Sequence, residues 1–115
     1  MSNAEDFVGA VFRAIFDQGI PRYRKTLNAP PDTGLDVCAR TRNALAILSH
    51  EEREDVLGFI SLAMADAVSI VFGTLDGTHF PDGLSGDFVV SRDGEVISGD
   101  LQDSFLERVE EKGIY

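Results

Sequence analysis

The chain predicts an α+β domain: a helical N-terminal part with a long buried central helix, then a β-hairpin with room for a third strand, then a C-terminal helix. Three observations carry this. Apolar residues recur at helical spacing through most of the first 75 positions. Two short β-prone runs, Asp87–Ser91 and Glu95–Ser98, flank Arg92-Asp93-Gly94, and Asp-Gly favours a tight hairpin turn. Leu101, Phe105, Leu106 and Val109 then return to helical spacing, with Ser98 or Asp100 in front and Gly113 behind. At 115 residues and 43% hydrophobic composition the chain is one domain, 1–115, able to bury one core without disulfide or metal staples.

Taken in order, Ser2 or Asn3 caps a first helix, and Ser2-x-x-Glu5 has capping-box spacing. Phe7, Val8, Val11, Phe12, Ile15 and Phe16 form its apolar stripe, and Gly19 with Pro21 predicts an end near Gln18. Residues 21–35 read as a loop. A second helix is expected from about Asp36 to Leu48, with Val37, Thr41, Ala44, Leu45 and Leu48 facing inward. Ser49-His50-Glu51-Glu52 is another capping box and opens an apolar run to Phe72, where Gly73 is the expected stop. The Gly- and Asp-rich stretch LDGTHFPDGLSGDF, Leu75 to Phe88, reads as the connection into the hairpin, pinned to the core by Leu75, Phe80 and Leu84. A lone two-stranded hairpin is marginal, so it must pack on the helices or pair with a third strand near Thr78–Phe80.

Between Val56 and Leu75 the only ionisable side chain is Asp66. The run approaches membrane-spanning length. Its central carboxylate and its acidic flanks, Glu51, Glu52, Glu54 and Asp55 before and Asp76 after, favour a soluble core helix instead. At 100° per residue, Val56, Ile60, Ala63, Met64, Ala67, Ile70 and Val71 centre an apolar face expected to point inward. The other side carries Gly58 and the row Ser61, Ala65, Ser69, Gly73, small residues at successive i+4 steps. That row suits close packing against the first or last helix, or a homodimer seam. Asp66 lies at its edge. It is expected to pair with Arg13, Arg40 or Arg42 or to be partly exposed, or else to serve as a functional carboxylate in a pocket.

The net charge of −10 is unevenly spread: residues 1–50 carry +1 and residues 51–115 carry −11. Such a surface repels phosphate backbones and anionic lipid, so neither nucleic acid nor membrane is an expected partner. It attracts a basic protein. Glu51, Glu52, Glu54 and Asp55 at one helix start, and Glu107, Glu110 and Glu111 at one helix end, are the candidate partner-binding acids. Acids suit a helix N-terminus but not a C-terminus, which leaves Lys112 as the nearest counter-charge of the second group. The cluster Arg22-Tyr23-Arg24-Lys25 is expected to dock on the acidic half. Cys38 is the lone cysteine, so no disulfide forms within the chain, and a cytoplasmic setting is expected. The first residues show no basic region followed by an apolar run.

The chemistry motifs fail one by one. An EF-hand loop starting at Asp76 would place Phe80 at a ligand position and Pro81 where glycine must turn. His50-Glu51-Glu52-Arg53-Glu54 lacks the second histidine of HExxH. Gly83-Leu84-Ser85-Gly86 is one residue short of a nucleophile elbow. No phosphate-cradling glycine motif occurs. The expectation is therefore no catalytic residue, metal or cofactor. A ligand pocket, if the chain has one, would gather Asp66 and His79 with Asp76, Asp82 or Asp87 beneath the Leu75–Phe88 loop. Small acidic α+β domains of this general type include bacterial immunity and inhibitor proteins, a resemblance of class only. Three functional expectations follow: an acidic domain that binds a basic protein, a small ligand-binding protein or enzyme, and a homodimer through the small-residue face.

Overall fold

A computed structural model describes residues 2–115. The α+β class holds: five α-helices, one of them joined to its successor by a π-helical segment, and a single two-stranded hairpin.

The first helix begins as expected. The Ser2 hydroxyl accepts from the Glu5 amide at 3.1 Å and opens α1, Asn3–Phe12. It does not stop at Gln18. The chain continues as a π-helical segment, Arg13–Gly19, and then as α2, Ile20–Asn28. The physical reason is Pro21. Proline has no amide hydrogen, and its ring clashes with the carbonyl four residues back in a regular α-helix. Widening the preceding turns to the i→i+5 pattern moves that carbonyl aside. Gly19 keeps right-handed helical angles, φ −71° and ψ −48°, so it bends nothing. The expected loop from 21 shrinks to residues 29–36, and Arg22-Tyr23-Arg24-Lys25 lies on a helix rather than a loop.

α3 runs Val37–Leu45, with the Asp36 carboxylate accepting from Ala39 N at 2.8 Å as its cap. Its buried residue is Ala39, whereas Val37 and Ala44 face solvent, which corrects the expected inner face. α4 spans His50–Asp76, opened by the full Ser49–Glu52 capping box and closed by Gly77 at φ 78°. Gly73 is therefore inside the helix, one turn before the end.

α4 is also turned opposite to expectation. Leu57, Ala65, Phe72 and Gly73 are buried, and the small-residue row packs inward against α5, Leu101–Lys112. Phe59, Ile70 and Val71 are 70%, 48% and 55% exposed. Volume explains the inversion. Phe7, Phe12, Phe16 and Phe105, from the first helix and α5, gather with Phe72 into one aromatic cluster, with ring centroids 4.8 to 6.2 Å apart. With α4 giving Leu57 and Phe72 to the core and the other rings filling the rest at native packing density, the remaining inward positions of α4 have room for little beyond Ser, Ala and Gly. One helix, His50–Asp76, is long and apolar enough to cross a membrane by length and composition, with a mean hydropathy of 2.0 in its best window, of which 28% is buried.

The helices form an up–down arrangement. Phe7 meets Phe72 while Arg24 meets Glu54, so α4 runs antiparallel to the first helix. Phe12 meets Phe105 and Asp17 meets Lys112, so α5 runs parallel to the first helix. The hairpin, β1 Ser91–Arg92 and β2 Glu95–Val96, pairs Ser91 with Val96 and Arg92 with Glu95. Asp93 and Gly94 both have positive φ, 51° and 80°, the two-residue turn that Asp-Gly encodes. The strands are shorter than expected, and residues 78–80 add no third one. Asn3 anchors the hairpin instead, donating to the Arg92 carbonyl at 3.1 Å and accepting from the Arg92 guanidinium at 2.8 Å.

Candidate functional site

The five ligand candidates do not converge. Asp66 is exposed on α4 and meets no arginine. It accepts a hydrogen bond from Tyr115 Oη at 2.5 Å. That bond pushes the Tyr115 phenol up to about 12, because ionisation would remove the donor and set two negative charges together. Asp76 is a structural cap. Its carboxylate accepts from the amides of Gly99 at 2.7 Å, Leu101 at 3.2 Å and Gln102 at 2.8 Å. These are the orphan donors at the start of α5, which Asp100 leaves uncapped. Asp82 is exposed on a turn. Only His79 and Asp87 share a cavity.

That cavity, about 200 Å³, lies under the loop after α4 and is lined by Thr74, His79, Phe80, Leu84, Asp87 and Phe88 together with Gly and Pro backbone. Local bonding fixes the start of the loop beside it. Gly77 turns left-handed, the amides of Thr78 and His79 donate to the Gly73 carbonyl at 2.8 and 3.0 Å, and Thr78 Oγ1 donates to Gln102 Oε1 at 2.9 Å. Gln102 Nε2 in turn donates to the Ser69 carbonyl and Oγ, each at 3.1 Å. Gly73 lets this amide close in, since a Cβ there would sit 2.6 Å from Gln102 Nε2 and 3.1 Å from His79 Cβ. The rim is bare. Phe80 is 77% and Leu84 47% exposed, so neither pins the loop to the core as expected; Leu75 alone packs against it. One imidazole, one carboxylate and the Thr74 side chain line the space, and no group of three metal-ligating side chains forms among the described residues.

The acids divide into engaged and free. Glu54 accepts from Arg24 Nε at 3.0 and 3.2 Å, so one cation of the basic cluster does dock on the acidic half. The Arg24 guanidinium holds the Glu54 carboxyl below its usual range. Arg22 lies over the Tyr23 ring, 5.7 Å from its centroid. Glu52 is held low by the Ser49 amide and hydroxyl of its capping box. Lys112 pairs with Asp17 at 2.6 Å and leaves Glu110 and Glu111 without it. Glu51, Asp55, Glu107, Glu110, Glu111, Asp82 and Asp87 face solvent with no ion-pair partner among the described residues.

Two features escaped sequence reasoning. Tyr115 as the partner of Asp66 carries no local signal, because the contact spans the whole of α5. The bare aromatic rim of the loop had one: its Gly and Pro content left Phe80 and Phe88 no regular element to tuck behind.

No family model, curated protein or solved structure matches the chain.

Proposed function

We propose that the chain is a non-enzymatic interaction domain that engages a basic protein partner through the loop following α4. The observation that carries the reading is the pairing of exposed apolar groups with unneutralised acid on that loop. Phe80, Leu84 and Phe88 line a small cavity and stay exposed, Val89 is exposed next in the chain, Asp87 lines the same cavity, Asp82 is exposed on the same loop, and no Lys or Arg occurs between Gly77 and Ser91. Aromatic anchors set in pockets and ringed by complementary charge are how protein interfaces concentrate their affinity. The −11 carried by residues 51–115 supplies the long-range attraction for a cation-rich partner. A reducing compartment such as the cytoplasm suits the lone, exposed Cys38.

The test is a selection of random displayed dodecapeptides against the protein at low salt, followed by binding curves for the winners. The reading predicts winners rich in Lys and Arg with aromatic residues, whose affinity falls steeply with salt and drops about tenfold or more for Phe80→Ala or Phe88→Ala, the size of an ordinary anchor loss. Winners without basic character, or winners indifferent to both substitutions, would contradict it.

A further inference from the structure

We infer that the outer face of α4 is covered by a second copy of this chain, so that the protein is a homodimer through the face opposite the small-residue row. Along that face run Val56, Phe59, Ala63, Ala67 and Ile70, at spacings of three and four residues. It continues at its side into an apolar groove of about 320 Å³ where Val37 and Cys38 of α3 and Tyr23 of α2 meet Ile60 and Met64. The small-residue row cannot serve as the seam, because α5 and the Gln102 amide already occupy it.

The amount of bare surface argues for a copy-sized cover. The chain exposes 7528 Å². A folded monomer of 12.5 kDa exposes about 6,200 Å² by size scaling, so about 1,300 Å² is surplus. A stable interface takes about 800 Å² from each partner. The shape agrees: the radius of gyration is 17.3 Å, against about 13 Å for a compact chain of this length. α4 is about 40 Å long at 1.5 Å per residue, enough for one helix to lie along another over several turns.

Charge selects the occupant. Copies of a chain with net charge −10 repel one another overall, and a neutral face adds least to that repulsion. The outer face of α4 is such a face: between Val56 and Leu75 only Asp66 ionises, and it stands at the margin, hydrogen-bonded by Tyr115. A basic partner would gain nothing from a neutral face. A lipid surface would have to accept the acidic residues Glu51, Glu52 and Asp55 at one end of it.

The experiment is light scattering across a concentration series for the full chain, for Ala63→Glu and Ile70→Glu, and for the loop variant Phe80→Asp. Both α4 sites are exposed, so helicity by circular dichroism should be unchanged. The inference predicts twice 12.5 kDa for the wild type and for Phe80→Asp, and 12.5 kDa for the two α4 variants. A Cys38→Ser/Ala67→Cys double variant should cross-link to a dimer on oxidation. A wild-type mass of 12.5 kDa throughout would overturn it, as would a dimer indifferent to both α4 substitutions, or a monomer that binds neutral phosphatidylcholine vesicles through this face. None of these outcomes bears on the loop, so this inference and the proposed partner site stand or fall separately.

Discussion

The two sides of α4 carry opposite kinds of residue in opposite places. The side made of Ser61, Ala65, Ser69 and Gly73 is buried, and the side that carries Phe59, Ile70 and Val71 faces solvent. Hydrophobicity alone would reverse them. What decides is fit. Phe12, Phe16 and Phe105 already fill most of the space between the helices, so apart from Leu57 and Phe72 the inward side of α4 contributes backbone proximity rather than bulk. Phe59, Ile70 and Val71 then go where the chain alone has nothing to set against them.

The largest effect that would sharpen this contrast lies in the core. Phe105 is fully buried against Phe12, Phe16 and Phe72, and Phe105→Ala should cost about 3–5 kcal/mol in chemical denaturation. Phe59→Ala, measured in the Ala63→Glu background so that the proposed dimer does not contribute, should stay within about 0.5 kcal/mol. Equal losses would break the distinction between the two faces. Two glycines on α4 give the next test. Gly73→Ala forces the tethered Gln102 amide aside and should cost about 1–3 kcal/mol. Gly58→Ala meets nothing within 4 Å and should stabilise by about 0.5–1 kcal/mol through helix propensity.

Asp76→Ala removes the acceptor for three amides at the start of α5 and should cost about 1–2 kcal/mol, with Asp76→Asn recovering part of it. The smallest effect belongs to Tyr115. Its phenol is raised in the folded chain, from 10.0 to about 12, so the folded state holds the proton more tightly. The stabilisation is complete below pH 10 and is lost as pH climbs toward 12. Tyr115→Phe should flatten that part of the stability–pH curve and lower neutral-pH stability by the same small amount, about 1 kcal/mol or less, because the pair is exposed.

Local chemistry made much of the fold legible. The Ser2 and Ser49 caps, the Asp93-Gly94 turn, and α5 from Leu101 to its Gly113 stop are all encoded within a few residues. Failures came where distant parts decide. Pro21 reads as a helix stop unless a π-helical segment relieves it. Gly73 and Gly77 are equally good stops by type, and the closeness of Gln102 assigns the first to packing and the second to the cap. The facing of α4 depends on how much space the aromatic rings of other helices leave, which no single-helix periodicity contains. The candidate site was legible only in outline. Its loop stands out by composition, but nothing near Asp76 marks it as a cap, because that role depends on amides more than twenty residues downstream.

Two bare apolar surfaces are proposed to take different occupants, and carbene footprinting followed by mass spectrometry would compare them in one sample. Across a dilution series, Phe59, Ile70 and Val71 should label weakly when concentrated and strongly when dilute, while Phe80 and Phe88 label strongly throughout. Labelling of the α4 face that stays as high as the loop's at every concentration would contradict that proposal.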